Sequence, residues 1–265
     1  MSRYYDFFCP VRLMAGEQAL EQLPDELMAL GARRPLLLTD KGVGGSGLAT
    51  LLANVLAEGG LPVAAIWDEI PADSSTAVVE RIATHWRELE CDSLVALGGG
   101  SVIDTAKAVN ILVTLGGERL LDHAGAGCLT RPLKPLAAVP TTAGTGSEVT
   151  LVAVIRDEGS GRKVPFTSPF LLPQLAVLDP RLTRGLPLPI TAATAMDAMT
   201  HAIEAFIGNG KNPVSDALAL MAVEKIATAL PRVLAHPTDK GLRLQLAEGS
   251  TLAGMAFSNS MVGLV

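Results

Sequence analysis

The feature that most limits the fold of this 265-residue chain is a largely apolar run, Ser93–Leu97, that stops in Gly98-Gly99-Gly100 and passes at once into the helical pattern of Val102–Val113. A continuous apolar run of that length suits a strand buried on both faces, as in parallel sheets covered by helices. The same succession recurs. Pro35–Thr39 reads as a buried strand ended by Asp40 and a glycine-rich turn (Gly42, Gly44, Gly45, Gly47), followed by helical periodicity over Leu48–Leu56. Pro62–Trp67 and Leu136–Val139 read as two more strands, and Thr76–Leu89 places Val78, Val79, Ile82, Trp86 and Leu89 at helical spacing. Alternating strands and helices predict parallel strands joined by crossover helices. Aromatic residues are only 4% of a chain that is 49% hydrophobic, so Ala, Leu, Val and Gly supply the core. That balance favours close helix–sheet packing over a β-sandwich.

The pattern changes after about residue 180. Pro187 and Pro189 mark a boundary, Thr191 is placed to cap a helix, and 192–206, 215–230 and 242–265 all read as helical. The expectation is an α/β Rossmann-like domain over 1–185 followed by an all-α domain beginning at 186. A net charge of −6 without any long basic run gives nucleic acid and anionic membrane no electrostatic purchase. No apolar run reaches the roughly 18 residues that span a bilayer. Cys9, Cys91 and Cys128 are scattered, odd in number and form no CxxC pair, which argues for reduced thiols over a disulfide framework or a cysteine zinc site. With no secretory pattern at the N-terminus, a cytoplasmic location is expected.

Three strand ends carry the polar and glycine residues that bind ligands in such folds. In Leu94–Lys107, three glycines between a strand and a helix allow close backbone approach or positive φ, and the helix offers free N–H groups and a positive dipole end. That is a pyrophosphate cradle by mechanism, although it departs from GxGxxG, and an ordinary tight turn is the plainer reading of the glycines alone. Pro140-Thr-Thr-Ala-Gly-Thr-Gly-Ser-Glu148 sets four hydroxyls around two glycines, suited to ribose and phosphate oxygens. Asp40 can accept from an adenosine ribose and would repel a 2′-phosphate, favouring NAD over NADP; otherwise it is a turn aspartate. In the C-terminal part, Asp197 and His201 stand four apart, one above the other on a helix, where a carboxylate and an imidazole can share a divalent metal. Glu204, three residues on, is placed to orient His201 or else is a solvated charge. The bland alternative for the pair is a surface contact.

Taken together, GGGSVIDTAKA at 98–108, PTTAGTGSEVT at 140–150 and TAMDAMTHAIEAF at 194–206 resemble the iron-containing (group III) alcohol dehydrogenases in motif, order and spacing, over essentially the whole chain. The resemblance implies a Rossmann-like domain and a helical domain with the active site in the cleft between them, the architecture shared with dehydroquinate-synthase-like enzymes. It implies that Gly99, Gly100 and Ser101, with Asp104 nearby, hold the pyrophosphate, and that Thr141, Thr142 and Thr145 line the nicotinamide side. It also implies that Asp40 meets the adenosine ribose and that Lys163, Val154 and Leu182 add cofactor contacts. Asp197 and His201 match the first two of four metal ligands, Fe²⁺ by resemblance with Zn²⁺ as the alternative. The implied reaction is metal-assisted hydride transfer between a small alcohol or aldehyde and NAD(P), in a homodimer or larger homo-oligomer. The family's other two ligands are histidines that follow a segment like Gly254–Val265, so the chain reads as truncated at the C-terminus inside its metal site. Two other readings stand beside this one: an NAD-using, metal-dependent lyase of the dehydroquinate-synthase-like type, and a non-catalytic dinucleotide-binding fragment.

Overall fold

The computed structural model describes residues 4–125 and 127–261. Eight strands are present among them: β1 (Arg12–Ala15), β2 (Pro35–Leu38), β3 (Ala65–Trp67), β4 (Ser93–Gly98), β5 (Leu136–Pro140), β6 (Val152–Arg156), β7 (Lys163–Thr167) and β8 (Leu175–Leu178). The helices are α1 (Leu23–Ala29), α2 (Lys41–Gly45), α3 (Leu48–Glu58), α4 (Thr76–Glu88), α5 (Gly100–Leu115), α6 (Pro180–Thr183), α7 (Leu188–Ile207), α8 (Pro213–Ala235) and α9 (Lys240–Ser258).

Six strands form one sheet in the order β1-β8-β5-β4-β2-β3, and every pairing in it is parallel. The runs read as strands from their unbroken apolar character are β2, β4 and β5, and each is buried along its whole length. Apolar clusters cover both faces. Leu36, Leu38, Leu94 and Ala96 meet α4 and α5 through Val79, Ile82, Ile103 and Val109, while Leu37, Val95 and Leu97 meet α1 and α3 through Leu23, Leu27, Leu52 and Leu56. Alternate residues of one strand therefore point into two cores. The chain leaves β2 for β3 on one side and returns through α4 to β4 on the other. The carboxyl ends of β2 and β4 thus flank the point where strand order reverses, which is where open α/β sheets bind ligands.

Several expectations need correction. The glycine-rich turn after Asp40 is the short helix α2, with Asp40 as its N-cap. The second strand is shorter than read, Ala65–Trp67. β1, β8 and the antiparallel hairpin β6–β7 were not anticipated. Thr191 caps nothing: α7 begins at Leu188, and the Thr191 hydroxyl donates back to Leu186 O and Pro187 O. The last helix stops at Ser258, and Met261 takes a left-handed φ of 67°. The expected continuation over 262–265 lies outside the described residues.

Helices α7, α8 and α9 pack together through small residues, Ala195, Ala198, Ala202, Ala222, Ala229 and Ala253, around Ile226, Val233 and Leu246. Ala143, from the loop after β5, enters this same cluster. That contact helps to seat the hydroxyl-rich loop between the sheet and the helical body.

Candidate active site

The glycines after β4 do not supply the positive φ that a glycine turn permits. Among Gly98, Gly99 and Gly100 none has positive φ; Gly99 caps α5 at φ −84°. Glycine is required there by proximity. A Cβ on Gly98 would lie 2.5 Å from Val102 Cγ2, one on Gly99 3.3 Å from Thr142 Oγ1, and one on Gly100 2.7 Å from Thr145 Cγ2. The glycine turn and the threonine loop are therefore packed backbone against side chain. Thr141 N donates to Gly98 O at 3.1 Å and pins the start of the loop to the end of β4. Thr141 is buried, whereas Thr142 and Thr145 are half-buried and Ser101 is exposed. Polar atoms thus remain accessible beside the N-terminus of a sixteen-residue helix, a favourable setting for an anion.

Two further groups reach this turn. Lys163, at the start of β7, forms an ion pair of 3.0 Å with Asp73, and the Asp73 N–H donates to Ser101 Oγ at 3.3 Å. A cation thus stands one residue away from the helix terminus. At the neighbouring strand end Asp40 is half-buried, and its Oδ1 accepts from Val43 N at 2.9 Å. The cap uses one carboxylate oxygen and leaves the other available.

Asp104 is already engaged by the protein. Its Oδ1 accepts from Ser147 Oγ at 2.6 Å and its Oδ2 from Val154 N at 2.9 Å, so both oxygens already have protein donors. Val154 is 39% exposed on β6, while the Leu182 side chain lies in the apolar cluster with Leu97 and Val139.

On the other side of the threonine loop, Gly144 abuts Thr194 of α7, where a Cβ would come within 2.7 Å of Thr194 Cβ. One and two turns further along α7 are Asp197 and His201. Asp197 Oδ1 and His201 Nε2 are 3.8 Å apart, beyond hydrogen-bonding distance, and His201 Nδ1 is buried without a partner. The Phe257 ring of α9 lies 4.6 Å from the imidazole. A carboxylate and an imidazole left unbonded to each other on one helix face fit a shared cation as a pair of donors. Among the described residues no third His, Cys, Asp or Glu completes a metal cluster with them. Glu204 is buried but makes no hydrogen bond to His201 among the described residues, contrary to the orienting role expected of it.

The sequence reading did not single out Lys107 or Glu148. Both are fully buried; burial pulls the Lys107 ammonium down to about 8 and pushes the Glu148 carboxyl up. A cavity of about 480 Å³ lies elsewhere, between Arg12, Glu26, Phe170 and Leu175. It sits at the amino-terminal ends of β1 and β8, opposite the loops just described, and its walls are mainly proline and apolar side chains.

Glycine- and hydroxyl-rich loops at the switch point of a parallel sheet, with a helical body packed against one of them, define a dinucleotide-binding type of α/β enzyme. Residues 10–180 match the iron-containing alcohol dehydrogenase family, and 191–265 match the C-terminal part of the Fe-containing alcohol dehydrogenase family. The chain is 38% identical over 260 residues to the NAD-dependent methanol dehydrogenase of Bacillus methanolicus, covering 98% of this chain and 68% of that protein. It is 43% identical over 247 residues to the 4-hydroxybutyrate dehydrogenase of Cupriavidus necator, covering 92% and 63%. Its fold superposes on a crystal structure of 1,3-propanediol oxidoreductase with a TM-score of 0.95 at 38% identity, covering 98% of this chain and 68% of that one. It likewise superposes on the sulfoacetaldehyde reductase of Bifidobacterium kashiwanohense in complex with NAD⁺, with a TM-score of 0.90 at 31% identity, covering 98% and 69%. The chain belongs to the iron-containing alcohol dehydrogenase family, and it spans about two thirds of the length of these relatives.

Proposed function

We propose that this chain holds NAD across the carboxyl ends of β2, β4 and β5 and contributes Asp197 and His201 to a metal site, in a protein that exchanges hydride between a small alcohol and its aldehyde. The observation that carries the proposal is the threonine loop: it touches the glycine turn of α5 on one side and α7 on the other, through Gly100–Thr145 and Gly144–Thr194. A dinucleotide laid over the turn therefore has its far end directed towards Asp197 and His201.

The residues divide the work by their chemistry. Gly99, Gly100 and Ser101 offer the helix terminus and a hydroxyl to the pyrophosphate, with Lys163 supplying charge. Asp40 uses its free oxygen on the adenosine ribose and disfavours a 2′-phosphate, so NAD is preferred over NADP. Thr141, Thr142 and Thr145 line the nicotinamide side, Val154 adds apolar surface, and Leu182 acts from within the core beneath the site. Asp197 and His201 suit Fe²⁺ first and Zn²⁺ second. Bound there, the metal supplies Lewis-acid stabilisation of charge at the reacting oxygen, and the nicotinamide gives or takes the hydride. Division into two units near residue 185, a cytoplasmic location and assembly into a homodimer or larger homo-oligomer belong to the same proposal. Among the described residues, no helix is long and apolar enough to cross a membrane.

Titration of NADH and NADPH against Asp40→Ala tests the ribose assignment. Losing a hydrogen bond to a charged acceptor should weaken NADH by roughly tenfold or more and narrow the preference over NADPH. Asp40→Asn, which keeps the α2 cap, separates cofactor recognition from local folding. An Asp40→Ala protein that binds NADH as well as the parent contradicts the assignment.

A further inference from the structure

Helix α5 carries two charged side chains, Asp104 and Lys107, for which hydride transfer has no direct use. Asp104 receives Ser147 Oγ and Val154 N. Lys107 is 0% exposed and donates to Thr150 O at 2.7 Å, to Thr150 Oγ1 at 3.0 Å and to Val152 O at 2.9 Å. Two side chains of one helix thus hold the stretch 147–154 through five hydrogen bonds. This stretch follows the threonine loop directly. On its far side, Glu148 accepts from Thr251 Oγ1 of α9 at 2.6 Å, which fastens the same stretch to the helical body.

The arrangement is costly. Burial lowers the basicity of Lys107 and raises the Asp104 and Glu148 carboxyls above their ordinary range, the expected penalty for removing charge from water. Apolar residues of similar volume would fill the space at lower cost, so stability alone gives little reason for the charges. Their geometry supplies a reason. Residues 141–146 are rich in glycine and hydroxyls and would sample many conformations if held at one end only. Thr141 N fixes the upstream end to Gly98 O, and Asp104 with Lys107 fixes the downstream end.

We infer that Asp104 and Lys107 are positioning residues that clamp the 147–154 stretch to α5, hold Thr142 and Thr145 over Gly99 and Gly100, and so set the affinity for the nicotinamide half of the dinucleotide. This inference rests on the cofactor reading above, and it reassigns Asp104 from a direct contact to an indirect one. The adenosine half, met by Asp40 at the end of β2, does not depend on the clamp.

The test compares NADH with AMP, which carries only the adenosine half, in titrations of this chain and its Ser147→Ala, Ser147→Thr and Lys107→Met variants. Ser147→Ala removes one donor without adding bulk. It is expected to raise the NADH dissociation constant about tenfold while AMP binding stays as in the parent. Ser147→Thr, which restores the hydroxyl, is expected to recover most of the loss. Lys107→Met, if folded, is expected to show the same selective defect. Equal loss of NADH and AMP in Ser147→Ala would mean general loosening and overturn the inference, as would parental NADH affinity in that variant. A parent chain that binds neither ligand would overturn the cofactor reading itself, and the clamp with it.

Discussion

Gly146→Ala is expected to lower stability by about 3 kcal/mol and to weaken dinucleotide binding by about a hundredfold or more, from the addition of one methyl group. Gly146 sits at φ +62°, and a Cβ there would lie 2.6 Å from the backbone Cα of Gly254 in α9. The left-handed conformation costs about 1 kcal/mol in a residue with a Cβ. The overlap adds a further 1–3 kcal/mol or so, because neither partner is a flexible side-chain tip that can turn aside. The loop must lift from α9 or α9 must shift, and a lift of the loop carries Thr145 away from Gly100. In a chain of this size the cost corresponds to a fall of about 10 °C in Tm. Gly254→Ala should behave alike, since its Cβ would meet Gly146 Cα and O at 2.9 Å. Gly45→Ala is the control: its Cβ meets nothing within 4 Å, and the change should be close to neutral. Thermal melts with NADH titration decide the matter, and a Gly146→Ala protein with parental Tm and affinity would refute the tight seam.

The second large effect concerns α7. In a protein that carries this chain together with the full ligand set, Asp197→Ala and His201→Ala are each expected to reduce metal-dependent turnover about a thousandfold or more, the loss that follows when several kcal/mol of charge stabilisation disappear. Bound metal, measured by mass spectrometry of the purified protein, should fall in parallel. NADH affinity should stay as in the parent, because neither side chain belongs to the strand-end loops. Stability should change little as well. The Asp197 side chain is 48% exposed and that of His201 24%, and no hydrogen bond joins them. Variants that lose metal but keep full turnover would remove the pair from the reaction.

Much of this arrangement was legible in the sequence because buried parallel strands announce themselves as unbroken apolar runs, and Pro35–Leu38, Ser93–Leu97 and Leu136–Val139 do so. β1 gave no such signal: it is an edge strand, with three of its four residues exposed, so periodicity had no buried face to report. The hairpin β6–β7 leaves only a short trace: Val152–Arg156 alternates between core and solvent over five residues before the turn at 157–161. The three glycines after β4 were found for the right place and partly the wrong reason. Their need is for contact with Val102, Thr142 and Thr145, and contacts between distant segments are not written into local pattern. Asp104 and Lys107 show the same limit. Spacing puts them near one another on a helix, but only the packed structure shows that both face the 147–154 stretch and that no water reaches Lys107. Glu204 was the opposite case, a spacing that suggested a partnership with His201 which the fold does not make.

On the proposed reading, the strand-end loops of this chain bind the dinucleotide without help from the metal pair. Calorimetric titration of the purified chain with NADH, in the presence and absence of Fe²⁺ or Zn²⁺, tests it directly. Saturable binding of one NADH per chain is expected, with an affinity that added metal leaves unchanged. A well-folded chain that takes up no NADH under either condition would contradict it.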